Sequence, residues 1–351
     1  MNVYDSKLYY EDLDKAIEGT PCIEKLYKKT VLITGSTGSV GSYFTDLLIR
    51  ANESQKAGIR ILATGRNIQR VEDRFRRHEI FPVLFDLKGD DNLPDEKVDF
   101  IIHVAGNAHA GTFNRDPVGT IVGNVFGTAR LLDYAKTHGA ERFIFISSGE
   151  VYGKGDLMLP SFEESYSGKI DSMSPRACYP NSKRAVETLC ASYLKQFGLQ
   201  TVVARLAHTY GPTANEGDIR AHAMFLNNAV LGEDIVMNSP GKQIRSYSYI
   251  ADSVTGALSV LLLGNPGEAY NVANPQSISS IADFAREAAK YSTGKVIFKV
   301  PSESELANRT PIEKQVLNSS KVEGLGWKGR YTLQSGICHS IQIMKEARGI
   351  S

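Results

Sequence analysis

The sequence predicts an α/β protein built around a doubly wound parallel sheet, and three observations support that fold class. Between residues 30 and 206, short apolar runs alternate with stretches that have the period of a helix. The first apolar run, Val31–Thr34, leads directly into glycines 35, 38 and 41 and then into an amphipathic stretch. The run from 98 to 104 is nearly all apolar, as expected for a parallel strand that is buried on both faces.

The order of the remaining elements follows from the same patterns. Further strands are predicted at 59–63, 81–85, 98–104, 142–147 and 201–205, with long helices around 119–139 and 180–197. Because right-handed crossovers bring the carboxyl ends of parallel strands to one edge of the sheet, ligands are expected at that edge. Residues 211–243 and 264–276 are rich in glycine, proline and asparagine, which predicts a smaller, irregular α/β domain over the same edge.

This organisation divides the chain into three predicted parts. Residues 1–29 form an N-terminal arm, 30–205 a dinucleotide-binding domain, and 206–351 mainly a substrate domain, with 245–263 returning to the first domain. In the arm, Leu8, Leu13 and Ile17 mark one side of a short helix. The arm lacks the apolar core of a signal peptide, so we expect it to pack at the domain surface or at a subunit contact.

The composition argues against several classes of function. The 351 residues carry a formal net charge of +1, so no strong electrostatic field favours nucleic acid or a membrane surface as a partner. No apolar run reaches the roughly 18 residues of a membrane-spanning helix. The four cysteines include no C-x-x-C pair, which argues against a zinc site or a disulfide framework and favours a reducing, cytoplasmic location. We therefore expect no metal.

The glycine-rich turn after the first strand is the predicted phosphate-binding site. Glycine lets the backbone turn tightly and approach a pyrophosphate, whose charge is favoured by the free N–H groups at the start of a helix. A strand before such a turn and a helix after it are typical of dinucleotide-binding proteins. The predicted cofactor contacts in this turn are Gly35, Ser36, Thr37, Gly38, Ser39, Val40 and Gly41.

A second motif, Tyr179-Pro180-Asn181-Ser182-Lys183, predicts the catalytic base. Four residues apart on a helix, the phenol of Tyr179 and the ammonium of Lys183 share one face. A free tyrosine has a pKa near ~10, and a neighbouring cation favours the phenolate, so we expect Lys183 to lower the pKa of Tyr179. Ser148, at the end of a predicted strand, supplies a hydroxyl that can orient Tyr179 or the substrate.

With the glycine turn, Ser148, Tyr179 and Lys183 in this order, the chain resembles the extended short-chain dehydrogenases/reductases of the NAD-dependent epimerase/dehydratase family, over residues 28–345. The resemblance implies a Rossmann fold, a tightly bound NAD or NADP, and a nucleotide-sugar substrate. It also implies that Tyr179 is the base and that Lys183 binds the nicotinamide ribose. Such proteins usually form homodimers by packing their long helices into a four-helix bundle.

The resemblance assigns further contacts. On the cofactor side they are Arg66, Asp86, Leu87, Val104 and Ala105, with Asp86 at the adenine. On the substrate side they are His208, Arg245, Asn107 and Arg309, with Arg245 at the phosphates of the sugar nucleotide. Members of the family that use NAD place an acidic residue on the adenine ribose, at the end of the second strand. This chain has Arg66 there, and since arginine suits a 2′-phosphate, Arg66 favours NADP.

Two neighbouring residues bear on the reaction that follows oxidation at C4 of the sugar. The hexose 4,6-dehydratases of the family carry an aspartic acid where this chain has Gly149, and that acid protonates the departing 6-hydroxyl. Glu150 is predicted to be a catalytic carboxylate. Plain 4-epimerases rarely have an acid at its position, whereas dehydratases and uronate decarboxylases do.

The sequence favours a UDP-glucuronate decarboxylase and leaves other reactions open. Residues 174–179 and 183–190 are especially similar to those decarboxylases, and loss of carbon dioxide needs no acid at position 149. Pro180-Asn181-Ser182, by contrast, looks more like an epimerase or a dehydratase. A 4-epimerase is the second hypothesis and a 4,6-dehydratase the third. An inactive nucleotide-binding regulatory protein is the non-enzymatic alternative, although Tyr179, Lys183 and Ser148 are all present.

Overall fold

The fold is described by a computed structural model that covers residues 2–106, 110–215, 217–299 and 312–350. Two residues predicted to contact the substrate, Asn107 and Arg309, lie outside these ranges. The strands in the described ranges are β1 (Thr30–Thr34), β2 (Arg60–Gly65), β3 (Phe81–Leu84), β4 (Phe100–His103), β5 (Arg142–Ser148), β6 (Thr201–Leu206), β7 (His208–Tyr210), β8 (Ile235–Met237), β9 (Ile244–Tyr249), β10 (Ala269–Val272), β11 (Ile278–Ser280), β12 (Val296–Phe298) and β13 (Lys314–Gln315). The helices are α1 (Lys7–Glu18), α2 (Ser39–Gln55), α3 (Ile68–Phe75), α4 (Ala110–Arg115), α5 (Pro117–Thr137), α6 (Cys178–Phe197), α7 (Ala221–Leu231), α8 (Ile250–Leu263), α9 (Ile281–Ala289), α10 (Ser320–Glu323) and α11 (Leu333–Glu346).

Seven of these strands form one parallel sheet in the order β10-β6-β5-β4-β1-β2-β3. The predicted doubly wound fold is confirmed. The order of the strands reverses between β1 and β4, and the crevice at the carboxyl ends of these two strands is where such sheets bind ligands. β5 ends at Ser148, opposite Leu206 of β6, so Ser148 lies at the same edge of the sheet.

Alternate residues of the strands cover the two faces of the sheet. In β1, Val31 and Ile33 belong to a core that includes α2 and α8, whereas Leu32 belongs to the core under α5 and α6. All three side chains are fully buried, which explains why the run is apolar without alternation. The predicted apolar face of α2 is confirmed, because Phe44 and Leu47 expose no surface.

The substrate side of the molecule is organised around β9. This strand pairs with β7 and β13 in parallel and with β11 in antiparallel orientation. The register places His208 opposite Tyr247 and Gln315 opposite Arg245. Residues that are far apart in the sequence, His208, Arg245 and Gln315, therefore meet on one small sheet.

The sequence patterns do not predict one strand of the large sheet, β10. It pairs with β6, with Ala269 opposite Val203 and Val272 opposite Leu206. Only four residues long, β10 lies between Pro266-Gly267 and Asn274-Pro275, which are turn-forming sequences typical of irregular regions. The large sheet therefore includes residues from the predicted segment 206–351, while the boundary between the two domains stays a prediction.

The N-terminal arm packs on the body of the protein through α1, which contacts α2, α8 and α11. Leu13 and Ile17, on the predicted face of this helix, are buried. Asp12 is also buried and accepts hydrogen bonds from the hydroxyls of Tyr249 (2.6 Å) and Tyr331 (2.9 Å). Because Tyr249 ends β9, these bonds tie the arm to the small sheet.

Candidate active site

The glycine turn between β1 and α2 is shaped to hold a phosphate group. Gly35 has a left-handed backbone (φ +69°), and its carbonyl oxygen accepts a hydrogen bond from the N–H of Gly38 (2.9 Å). A β-carbon on Gly41 would overlap the same carbonyl oxygen, so only glycine fits there. Gly38 is the N-cap of α2 and has no side chain to occupy the helix N–H groups. Among the described residues, a β-carbon on Gly38 would contact only the Gly35 oxygen, 3.3 Å away, so the turn leaves room for a pyrophosphate.

The residues between these glycines have different roles. Ser36 is fully buried and donates hydrogen bonds from both its N–H (3.0 Å) and its hydroxyl (2.8 Å) to the carbonyl oxygen of Thr64. Its side chain therefore braces the turn against β2. Ser39 accepts a hydrogen bond on its carbonyl oxygen from the hydroxyl of Thr213 (2.9 Å), which links the turn to the segment after β7. Thr37 and Val40 are partly exposed at the turn.

The loop after β4 closes the other side of the crevice. The N–H groups of Val104 and Ala105 both donate to the hydroxyl oxygen of Thr34 (3.1 Å each). The ring of His103 lies between the hydroxyls of Thr34 (2.7 Å) and Thr128 (2.8 Å). Burial lowers the pKa of His103 to about 3, so this imidazole is neutral and acts as a structural link.

The predicted adenosine end of the cofactor site lies at the carboxyl ends of β2 and β3. Arg66 directly follows β2 and is exposed to solvent. Asp86 is half-buried, and its Oδ1 accepts a hydrogen bond from the N–H of Lys88 (3.1 Å). Leu87 packs so closely against α5 that Gly127 has no room for a β-carbon. The contacts of Arg66, Asp86 and Leu87 with a dinucleotide stay predictions.

Tyr179 and Lys183 lie in the first turns of α6, beside the carboxyl ends of β4 and β5. Both side chains are buried, and the ring of Tyr179 stacks on that of Phe113 with centroids 5.4 Å apart. The Lys183 ammonium donates to the carbonyl oxygen of Ile146 in β5 (2.8 Å). A β-carbon on Gly106, after β4, would lie 3.5 Å from that ammonium nitrogen, which places the nitrogen at the crevice.

The structure corrects the expectation about the pKa of the base. Burial, followed by the charge of Glu150, raises the pKa of Tyr179 to about 12. The Ser148 hydroxyl and the charge of Arg220 act in the opposite direction but do not outweigh burial. The Lys183 nitrogen, which is hydrogen-bonded to the carbonyl oxygen of Ile146, lies 5.9 Å from the centre of the Tyr179 ring. Burial lowers the pKa of Lys183 itself to about 8. Lys183 alone therefore does not make Tyr179 a base at neutral pH.

The predicted catalytic carboxylate, Glu150, belongs to a short 3₁₀ helix, Gly149–Tyr152, that follows β5. Its N–H donates to the hydroxyl oxygen of Ser148 (3.2 Å), and its Oε1 pairs with Nη2 of Arg176 at 3.5 Å. Its Oε2 is hidden from solvent and has no hydrogen-bond partner within the described part of the chain. Because the charge of Glu150 raises the pKa of Tyr179, the two side chains share one electrostatic environment.

Two predicted substrate contacts, His208 and Arg245, lie on the neighbouring strands β7 and β9. Burial, with the charge of Arg245, lowers the pKa of His208 to about 3, so its imidazole is neutral. Arg245 is buried and donates to the carbonyl oxygens of Ile312 (2.6 Å) and Glu313 (3.2 Å). The charge of Glu150 acts on the Arg245 guanidinium, so β9 lies within electrostatic reach of Glu150. A contact of Arg245 with a substrate phosphate stays a prediction.

The fold adds three polar residues that the sequence patterns do not single out: Arg176, Arg220 and Gln315. Arg176 pairs with Glu150. Its position three residues before Tyr179 could have identified it from the sequence as a residue of the site. Arg220 acts on the pKa of Tyr179 and is held by the carboxylate of Asp218 (3.0 Å). Gln315 lies against Gly149, and no local pattern in the sequence indicates either Arg220 or Gln315.

Across residues 2–350, where described, no helix is both long and apolar enough to cross a membrane. Within the same residues, no group of three His, Cys, Asp or Glu side chains is arranged to hold a metal ion. The cysteines at 22, 178, 190 and 338 are free thiols. Cys178, beside the base, packs with its sulfur 3.7 Å from the Phe113 carbonyl oxygen.

Known proteins resemble this chain in sequence and in fold. A sequence profile of the NAD dependent epimerase/dehydratase family matches residues 31–273. UDP-glucuronic acid decarboxylase 1 of Xenopus tropicalis is 32% identical over 325 residues, which cover 91% of this chain and 73% of that protein. An epimerase from Methanothermobacter thermautotrophicus has the same fold, with a TM-score of 0.78 and 20% identity over 96% of both chains. The UDP-glucuronic acid 4-epimerase of Bacillus cereus, solved with UDP-glucuronic acid and NAD, has a TM-score of 0.73 and 20% identity over 90% of this chain and 99% of its own. The chain described here therefore belongs to the NAD dependent epimerase/dehydratase family.

Proposed function

We propose that the protein decarboxylates UDP-glucuronate to a UDP-pentose by transient oxidation at C4 of the sugar. The observation that carries this proposal is the pair of positions after Ser148. Glu150 is a half-buried carboxylate near Tyr179, with its Oε2 hidden from solvent, and Gly149 has no acid and little space for one. The UDP-glucuronic acid decarboxylase of Xenopus tropicalis, similar over nearly the whole chain, supports the same reaction.

The first step is the removal of hydrogen from C4. Tyr179, with the Ser148 hydroxyl beside it, takes the proton of the 4-hydroxyl. The glycine turn from Gly35 to Gly41 would hold a nicotinamide cofactor, which would accept the hydride of C4 and later return it. Stacking on Phe113 holds the Tyr179 ring in one orientation and keeps water from one of its faces. Burial raises the pKa of Tyr179 to about 12 and so opposes its ionisation, whereas the Ser148 hydroxyl and the charge of Arg220 favour it.

The second step is the loss of carbon dioxide from a β-keto acid. Once C4 is a ketone, the C5–C6 bond breaks, its electron pair passes into the enolate of the ketone, and a proton adds to C5. Glu150 carries a negative charge that opposes the carboxylate of the substrate, and this repulsion is relieved when neutral carbon dioxide leaves. Arg176 pairs with Oε1 of Glu150, and Oε2 has no hydrogen-bond partner among the described residues.

A 4,6-dehydratase is disfavoured by the space around Gly149. A β-carbon there would lie 3.3 Å from Cδ of Gln315 and 3.3 Å from both methyl carbons of Leu317. The acid that protonates a departing 6-hydroxyl is therefore absent at position 149, and a side chain there would require Gln315 and Leu317 to shift.

A 4-epimerase is the second candidate, and the segment after Tyr179 favours it. Ser182 accepts a hydrogen bond from Asn124 (2.9 Å) and donates one to the carbonyl oxygen of Tyr179 (2.9 Å). The epimerase-like sequence Pro180-Asn181-Ser182 thus helps to hold the base. The Bacillus cereus enzyme with UDP-glucuronic acid is an epimerase of the same fold, so the substrate alone does not separate the two reactions.

The test of the proposed function is turnover of UDP-glucuronate followed by mass spectrometry and by release of carbon dioxide. We expect a UDP-pentose together with carbon dioxide, and no net consumption of the dinucleotide. A product of unchanged mass that is the 4-epimer would overturn the decarboxylase in favour of the epimerase. Loss of water from a nucleotide hexose would indicate a dehydratase. No turnover of any UDP-, dTDP-, GDP- or CDP-sugar, with the dinucleotide still bound, would support the regulatory alternative.

We infer that Arg66 shifts the cofactor preference toward NADP. It lies at the end of β2 and is free to reach a 2′-phosphate on the adenine ribose. The expected result is tighter binding of NADP than of NAD to the apo-protein, with the difference erased in Arg66→Ala. Arg77→Ala, two residues beyond the end of α3 and paired with Asp5, is the matched control and should leave the ratio unchanged. A preference of about tenfold for NAD, or a preference for NADP that survives Arg66→Ala, would refute this role.

We also propose that two copies of the chain associate through α5 and α6. On α5, Val118, Ile121, Val122 and Phe126 lie on one helical face and are exposed, Val118 to 71% and Phe126 to 65%. α5 packs along α6, so two copies placed face to face would form a bundle of four helices.

The free thiols of the four cysteines support the cytoplasmic location expected from the sequence.

The dimer is tested by placing a charge in that face. Phe126→Glu should convert a dimer into a monomer in sedimentation or light scattering, because a buried unpaired carboxylate is costly in an apolar interface. Phe298→Glu, on an exposed aromatic residue of β12 away from α5, should remain a dimer. A wild-type protein that is monomeric in these measurements, or a Phe126→Glu variant that stays dimeric, would contradict the proposal.

A further inference from the structure

Gln315 is a buried amide in the wall of the candidate active site. It ends β13 and lies opposite Arg245 of β9 in the small sheet. Only 4% of its surface is exposed, and its Nε2 is hidden from solvent without a hydrogen-bond partner within the described ranges. A buried amide nitrogen without a partner destabilises the fold, so a fold that retains one has a reason to do so.

The position of this amide is defined by Gly149. A β-carbon built on Gly149 would lie 3.3 Å from Cδ of Gln315, so the amide covers the residue between Ser148 and Glu150. Ser148 assists the base at C4 of the sugar in the proposed mechanism. The Gln315 amide covers Gly149, the residue after Ser148, and is therefore positioned to contact the neighbouring end of the sugar, which carries C5 and C6.

A second buried polar atom without a partner lies near the same amide. It is Oε2 of Glu150, which has no hydrogen bond among the described residues. The amide of Gln315 also forms a side-chain hydrogen bond with His208 that raises the pKa of His208, although burial dominates and the imidazole is neutral. The two unsatisfied atoms, on Gln315 and Glu150, indicate a subsite that a polar ligand group completes.

The charges around this subsite suit a carboxylate that must later leave as carbon dioxide. Arg245 and Arg176 attract an anion, while Glu150 repels it. The amide N–H of Gln315 can orient the anion by a hydrogen bond without neutralising its charge. A direct ion pair at this point would instead stabilise the carboxylate in the ground state and slow its loss.

We propose that Gln315 is a specificity-determining residue that donates its amide N–H to the C6 substituent of the sugar, a carboxylate in UDP-glucuronate. The inference rests on the proposed function for the identity of that substituent, but not for the contact itself. In this proposal, β13 recognises the C6 substituent through Gln315, beside Gly149, which has no side chain of its own.

The test measures binding of three nucleotide sugars that differ only at C6. UDP-glucuronate has a carboxylate there, UDP-glucose a hydroxymethyl group, and UDP-xylose only hydrogen. Calorimetry on dinucleotide-loaded Tyr179→Phe protein avoids turnover. In this background, Gln315→Met, which keeps the length and removes the donor, should weaken UDP-glucuronate about tenfold or more and leave UDP-xylose unchanged. Gln342→Met, on the exposed face of α11, is the matched control and should change none of the three.

A second variant keeps the inference falsifiable if the first is unstable. Gln315→Glu replaces a donor by a like charge, so it should abolish binding of UDP-glucuronate while UDP-glucose, whose 6-hydroxyl can donate, still binds. Equal weakening of all three ligands, or no change in either variant, would overturn the inference. If the wild type releases no carbon dioxide but Gln315→Met still changes the ratio of UDP-glucose to UDP-xylose binding, the proposed reaction fails and the C6 contact stands.

Discussion

Replacing Tyr179 by phenylalanine should lower kcat for UDP-glucuronate by about 10²- to 10⁴-fold and leave dinucleotide binding intact. The variant removes only the phenolic oxygen that takes the proton of the 4-hydroxyl. The ring can still stack on Phe113, and Lys183 keeps its hydrogen bond to the Ile146 carbonyl oxygen. The cofactor crevice is therefore unchanged, and the loss falls on the chemical step.

The measurement is a comparison of kcat, of the Kd for the dinucleotide and of the melting temperature. Tyr193→Phe removes a hydroxyl from the same helix, near Asp133 and distant from the site, and should retain full turnover. Turnover of Tyr179→Phe within a factor of about three of the wild type would refute the role of the base. A parallel loss of dinucleotide binding would show instead that the tyrosine is needed to build the cofactor site.

Replacing Glu150 by glutamine should lower kcat for the release of carbon dioxide by about 10²-fold. Two like charges about 4 Å apart in a partly buried site repel each other by roughly 4 kcal/mol, and the substitution removes that repulsion from the ground state. KM is expected to fall together with kcat, because the repulsion acts on the bound substrate and disappears as the carboxylate leaves. Arg176 can still hydrogen-bond to the amide oxygen, so the local structure is retained.

The same variant makes a prediction about pH with a definite sign. The negative charge of Glu150 raises the pKa of Tyr179, so its removal should lower that pKa. The limb of the pH–kcat profile that reports ionisation of the base should therefore move to lower pH in Glu150→Gln. Glu141→Gln, a surface residue at the start of β5 that pairs with Lys29, is the control for both readouts. A limb that moves to higher pH, or full release of carbon dioxide, would contradict the assigned position of Glu150.

Features that depend on a few consecutive residues could be predicted from the sequence. Period and burial identified strands β1 to β6 and the two long helices, because a strand buried on both faces has to be apolar throughout. A spacing of four residues placed Tyr179 and Lys183 on one face of α6. The left-handed turn at Gly35 needs glycine whatever surrounds it, so the phosphate turn is also visible locally.

β10 marks the limit of such patterns. Its four residues acquire their structure by pairing with β6, and the turn-forming residues on either side hide it in a single sequence. The partner of a short strand is supplied by another part of the chain, so its own pattern is too weak to predict it.

The chemistry of the site was decided by tertiary structure. The spacing of the residues predicts that Lys183 sets the pKa of Tyr179. In the folded chain, burial and the charges of Glu150 and Arg220 also act on this pKa, and burial has the largest effect. Gln315 packs over Gly149, and the pairing of β13 with β9 holds Gln315 in that position. The sequence by itself determined the fold class, the family and the two local motifs, since each depends on geometry within a few residues. Protonation and the shape of the substrate pocket depend on which distant segments exclude water from one another, and only the folded chain determines that.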